Sequence, residues 1–150
     1  KREVYVPYNV YKLSDKSLKY KDIIGKHTIN ADLVRYELHR VWVLEATLKP
    51  GQRHIYSKRT FYLDEDSWSV VAEDAYDTRG GLWRAALLGM MQCYDAVVPW
   101  YRFGMVHDLN AGSYITGGWD NEIKEPMQFN AKGKATDFGP DALRRLGGTL

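Results

Sequence analysis

The sequence is poor in cysteine. Cys93 stands alone among 150 residues, so no internal disulfide forms. Either the cytosol or an oxidising compartment suits a lone thiol. No run reaches the ~18 consecutive apolar residues of a membrane-spanning helix. Charge of one sign is not in excess: 21 basic residues are interspersed with 19 acidic ones. A net charge of +2 offers no basic field for nucleic acid, and none is expected as a partner. Low-complexity segments and a convincing internal repeat are absent. The chain has no initiator Met and no signal peptide, and Lys1-Arg2-Glu3-Val4-Tyr5 already follows a strand pattern. That reads as a piece of a longer protein.

Catalytic and metal-binding patterns are missing too. His27, His39, His54 and His107 occur in no metal-ligand spacing. His39 and His54 read as polar-face residues of adjacent strands, too far apart to share an ion. Cys93 ends the run Met90-Met91-Gln92-Cys93 with no base in view, which suits a buried, inert thiol. Asp64-Glu65-Asp66 lacks the spaced ligands of a calcium loop and reads as a solvated hairpin tip. Glu73 and Asp74, neighbours on a strand, point to opposite faces and make a poor acid/base pair. The expectation is a non-enzyme without cofactor or metal.

What the sequence does hold is β-structure. Aromatics reach 13%, with 11 Tyr and 5 Trp, which favours strands and amphipathic surfaces. The run Leu33 to Lys49 alternates with period 2. Val34, Tyr36, Leu38, Arg40, Trp42, Leu44, Ala46 and Leu48 share one face, apolar but for Arg40, and that face is expected to form the core. Pro50-Gly51 turns the chain into a strand over 54–63, with a two- or four-residue loop. That register sets Trp42 opposite Arg59 and Arg40 opposite Phe61, with Asp74 in diagonal reach of Arg59. Further strands follow over 68–76, 82–93, 100–109 and 113–119, with turns at 64–67, Gly80-Gly81 and Asn110-Ala111-Gly112, and a break at Pro99.

Helical crossovers between strands are missing, so the fold class is mainly β: a curved antiparallel meander, an incomplete barrel with few short helices. The expected organisation is one domain over 1–150. Residues 1–32 form an N-terminal arm, edge strand and loop; 33–121 form the meander; 122–150 form a loop-rich tail with a helix over 140–146. The sheet needs a cover or a ligand on its apolar face. Arg40 and Arg59 there are either a structural ion-pair set or polar anchors for an amphipathic ligand.

The runs DLVRYELHRVWVLEATLKPGQRHIYSKRTFYLDEDSW (Asp32 to Trp68) and YDTRGGLWR (Tyr76 to Arg84), with YVPYNVYKL before and DLNAGSY after, resemble DUF1329. This is a family of bacterial proteins of unknown function, often labelled outer-membrane lipoprotein-sorting proteins. The resemblance covers roughly residues 2–125 and implies a C-terminal portion of a longer, exported protein. It implies a fold similar to the LolA/LolB lipoprotein carriers, whose curved sheet holds acyl chains. The expected function is binding or transport of a lipid, lipoprotein acyl chain or other hydrophobic ligand. The expected place is the periplasm or the periplasmic face of the outer membrane of a Gram-negative bacterium. Trp42, Leu44, Phe61, Trp68, Trp83 and Leu87 are expected to line the concave face, with Arg40 and Arg59 as anchors. Partners would be the ligand or lipoprotein and an outer-membrane or transporter protein. The alternative is an assembly module that pairs through its sheet edges, as a homodimer or with another envelope protein.

Overall fold

Side-chain alternation becomes seven strands in the computed structural model, which describes residues 1–125 and 127–148. They are β1 (Arg2–Pro7), β2 (Tyr36–Thr47), β3 (Lys58–Asp64), β4 (Val70–Tyr76), β5 (Leu82–Cys93), β6 (Val98–Asp108) and β7 (Ser113–Gly117). Each pairs antiparallel with the next, in the order β1-β2-β3-β4-β5-β6-β7, and the sheet does not close into a barrel. Two short helices accompany it, α1 (Tyr20–Ile23) and α2 (Pro140–Gly147). Pro140 opens α2, where its missing N–H costs nothing. Residues 126, 149 and 150 of the expected tail lie outside the described residues.

The core lies on the face opposite to the one expected. Val41 is fully buried and packs with Val6, Tyr8, Val71 and Met90, while Val43 and Tyr62 flank them. A second cluster joins Val10, Leu13, Ile23, Ile29 and Leu33 to Phe103 and Met105 of β6. The segment between β1 and β2 thus covers this inner face of β5 and β6. Val6 and Tyr8 reach Met90 from the far edge, and Val10 N–H donates to the Met90 carbonyl, so the sheet curls around its inner side. Tyr36, Leu38, Trp42, Leu44 and Leu48 are exposed on the other side.

Two local details also differ from the sequence reading. The β2–β3 connection runs over 48–57 and is closed by Leu48 N–H donating to Ser57 O. Pro50-Gly51 is still a turn, with Gly51 at φ 77° as a type II geometry requires. The longer loop moves the register, so Arg59 pairs with Ala46, Phe61 with Leu44, and Trp42 with Leu63. Pro99 does not break the chain; it lies inside β6 opposite Gln92, and the turn falls at 94–97.

Gly89 shows how tightly the inner side is packed. A Cβ there would sit 2.1 Å from the Phe103 ring. The ladder shifts register at the same point, between Gly89 and Met90.

Candidate functional site

The outer sheet face carries one continuous rung across six strands. Leu44, Phe61, Glu73, Ala86, Val106 and Ile115 are successive register partners from β2 to β7. Five of the six are apolar, and the ends are open: Leu44 is 54% exposed and Ile115 72%. Beside it runs a polar rung: Ala46, Arg59, Ala75, Arg84, Asp108 and Ser113. Arg59 Nε donates to Glu73 Oε1 at 2.6 Å, and its guanidinium lies 4.7 Å from the Phe61 ring centre. Arg84 donates to Asp108 Oδ2 at 3.1 Å and to the Tyr56 hydroxyl at 2.8 Å, and stacks 4.4 Å over Trp83. Trp83 Nε1 donates to the same Asp108 oxygen at 3.0 Å. These contacts hold both arginines above their ordinary range, by hydrogen bonding to Glu73 and to Tyr56 and Asp108 respectively. They form a rigid aromatic and cationic border along the apolar rung.

Of the residues singled out from the sequence, Arg40, Trp42, Leu44, Arg59 and Phe61 do share one face. It is the outer face, not the covered one. Arg40 points into solvent and pairs with Glu65, Nε to Oε2 at 2.6 Å, so it is no inward anchor. The partner of Arg59 is Glu73; Asp74 is on the inner face, where the Tyr62 hydroxyl donates to it at 2.9 Å. Trp68 stands exposed at the β3–β4 turn with φ 58°. Trp83 joins the Arg84 group, whereas Leu87 packs against the inner core cluster. His54 lies outside any strand. Sequence reasoning missed Tyr56, Glu73, Arg84 and Asp108. The signal available was Arg84 itself, a charge inside the strand run LWRAALLG.

The inner face holds a polar hub at Asp64, where the sequence alone predicts a solvated hairpin tip. Asp64 is fully buried at the end of β3. Its Oδ1 lies 2.7 Å from His39 Nδ1, and its Oδ2 accepts from Ser67 N–H at 2.9 Å and Ser67 Oγ–H at 2.6 Å. His39 Nε2 is 3.3 Å from Glu37 Oε2, and Tyr8 stacks on the imidazole with centroids 4.2 Å apart. Glu37 also accepts from Asn9 Nδ2 at 2.9 Å and from Arg35. Burial opposes charge on His39, but hydrogen bonds to Asp64 and Glu37 outweigh it and raise its pKa. Burial likewise opposes charge on Asp64, and the Ser67 and His39 hydrogen bonds outweigh it, holding its pKa low. Among the described residues, His39, Asp64 and Asp66 are the group with atoms close enough for a metal, within 4.8 Å of one another. His39 Nδ1 and both Asp64 oxygens are already committed to each other and to Ser67, which is the geometry of a hydrogen-bonded hub.

A second buried charge ties the segment before β2 to the segment after β7. Arg102 is 5% exposed. It donates to Ser14 Oγ, to the carbonyls of Leu13 and Gly118, and to the side chains of Asp120 and Asn121, at 2.6–2.9 Å. The region before β2 and the segment after β7 are thereby fixed to β6.

A curled antiparallel meander with one covered face and one apolar open face defines the class. The chain belongs to the family described as a protein of unknown function, DUF1329, whose model matches residues 1–144. It is similar to the uncharacterized protein PA3922 of Pseudomonas aeruginosa strain PAO1, with 51% identity over 147 residues. The match covers 98% of this chain and 32% of that protein, so the chain spans about a third of its curated relative. Two solved structures resemble it in fold. One, from Vibrio parahaemolyticus, is named provisionally as an outer membrane lipoprotein-sorting protein domain; it has 18% identity and a TM-score of 0.47 over 70% of this chain and 42% of that one. The other is a DUF1329 family protein from Desulfovibrio piger, with 17% identity and a TM-score of 0.48 over 69% and 40% of the two chains.

Proposed function

We propose that this chain is a non-enzymatic module of the bacterial cell envelope that binds a lipid, a lipoprotein acyl chain or another hydrophobic ligand across its outer sheet face. The observation that supports it is the rung from Leu44 to Ile115, exposed at Leu44, Val106 and Ile115 and half-buried between, bordered by Arg59 and Arg84. Three aligned, exposed apolar side chains on one sheet face, Leu44, Val106 and Ile115, mark a surface suited to an apolar partner. Burying them against an acyl chain gains about 25 cal/mol per Å². The bordering guanidiniums, already oriented by Glu73, Asp108 and Tyr56, suit the polar end of an amphipathic molecule. The envelope location rests on the lipoprotein-sorting resemblance of residues 32–68 and 76–84. No helix among the described residues is long and apolar enough to cross a membrane.

Lipid extraction and native mass spectrometry of the purified full-length protein test the reading. Copurifying or loadable acyl ligands are expected, and their displacement by Leu44→Ser and Ile115→Ser assigns them to the outer face. A protein that loads no hydrophobic ligand overturns it.

A second reading is favoured by the edge strand β7, which bears the most open apolar side chain of the rung, Ile115. Such an edge can take a further strand from a second copy or another envelope protein. Size-exclusion chromatography with light scattering separates the two readings: a loaded monomer supports the first, an obligate dimer the second.

A further inference from the structure

The β5–β6 hairpin runs on past the rest of the sheet. β4 pairs with β5 only as far as Leu87, and β7 with β6 only as far as Gly104. Beyond those points a cavity of about 170 Å³ lies against the hairpin. Met91 and Cys93, two apart on β5, share one of its walls, and Trp100 is the register partner of Met91. Met127 and Phe129 come from the segment after β7, and Phe129 meets Trp100 edge-on at 5.5 Å. By the volume of a water-sized group, the cavity holds roughly six methylenes.

Its charge is not balanced. The charged residues that line it are Lys16, Arg102 and Asp120. Asp120 Oδ1 accepts from Arg102 Nη2 at 2.9 Å and lies 3.5 Å from Lys16 Nζ, so one carboxylate serves two cations. Arg102 is buried and held by its other acceptors, whereas Lys16 is half exposed; its Nζ donates to the Asp120 carbonyl at 2.9 Å, and an ammonium with three N–H groups keeps a donor for an incoming group. The lining thus has an apolar wall and a net positive rim.

We propose that this cavity binds the short apolar end of an amphipathic carboxylate, with its chain against Met91, Trp100 and Phe129 and its carboxylate at Lys16. The site is separate from the outer face and stands whether or not that face binds lipid.

The probe is a series of straight-chain alkanoates, butanoate to dodecanoate, titrated into protein carrying methyl-labelled methionine. Four methionines report: Met91 and Met127 line the cavity, while Met90 and Met105 are buried in the two cores. Saturable shifts of the first two alone are expected. Affinity should rise about fourfold per added methylene, then level off near six buried methylenes. Lys16→Glu should weaken alkanoates and leave alcohols of equal length unchanged. Met91→Trp should fill the cavity and abolish binding, with the Met90 and Met105 signals reporting that the fold is kept. The proposal is overturned by the absence of a saturable shift at millimolar ligand, by equal shifts at all four methyls, or by unchanged binding in Met91→Trp. Affinity that keeps climbing with chain length overturns it too, and points to the open outer face instead.

Discussion

His39 on β2 and Asp64 at the end of β3 meet on the inner face, with Nδ1 2.7 Å from Oδ1 and Tyr8 stacked over the ring. Twenty-five residues separate them in the chain. The pair fastens the β3–β4 turn to the first half of β2 and gives folding a pH dependence of definite sign. The raised pKa of His39 contributes stability that is complete below its ordinary 6.5 and is lost as pH rises through the folded value. The lowered values of Asp64 and Glu37 contribute stability present above their ordinary 3.8 and 4.5 and lost as pH falls. Thermal stability should therefore peak between about pH 4.5 and 6.5 and decline on both sides, by at most about 1.4 kcal/mol per pH unit per group. Thermal melts across pH check this. His39→Gln should flatten the alkaline decline, and an unchanged slope would show that the pair is not its cause.

How far the sequence reveals this depends on the range of the interaction. Period-2 alternation marked β2, and Pro50-Gly51, Gly80-Gly81 and Asn110-Ala111-Gly112 marked turns, because those signals are local. Which face of β2 is covered is not local. Glu37 and His39 look like solvent-face residues until Asn9, Arg35 and Asp64 supply their partners. With those charges paired, the odd-numbered face can be buried and Val41 becomes the core residue. Loop length is equally hidden, since closing a ten-residue loop costs little more than closing a short one. The four-residue change in register moved Arg59 away from Trp42, although parity kept Arg59, Phe61 and Leu44 on one face.

Gly89→Ala should destabilise the fold by about 1–3 kcal/mol. The new methyl would meet the Phe103 ring at 2.1 Å, and Phe103 is itself 1% exposed in the larger core cluster. Chemical denaturation gives the loss. Adding Phe103→Leu should recover part of it, so the double-mutant cycle should show a favourable coupling. Additive losses would mean that the ring relaxes elsewhere.

Arg102→Lys should cost about 3 kcal/mol, nearly as much as Arg102→Met. The guanidinium donates to two separate segments at once, and a single ammonium cannot reach Ser14, Leu13, Gly118 and Asn121 together. Urea melts measure the loss. Protection of the Leu13 and Gly118 regions in hydrogen exchange should fall with it, whereas β2 and β3 keep theirs.

The two sheet faces should respond in opposite ways to the same chemical change. Leu44 and Ile115 are already open to water, so Leu44→Ser and Ile115→Ser should change stability by no more than about 0.5 kcal/mol each. Leu87 packs against the inner core, so Leu87→Ser should cost about 2–4 kcal/mol. Binding of an apolar reporter dye to the full-length protein should show the reverse order. If each open side chain contributes about 1 kcal/mol on burial under a ligand, the outer pair together should weaken binding roughly 30-fold. Leu87→Ser, at a temperature where it stays folded, should leave dye affinity close to wild type, because its side chain faces away from the rung. Equal dye affinity in Leu44→Ser, Ile115→Ser and the unaltered protein would remove the outer face as the ligand site, while the stability contrast would still fix which side of the sheet is core.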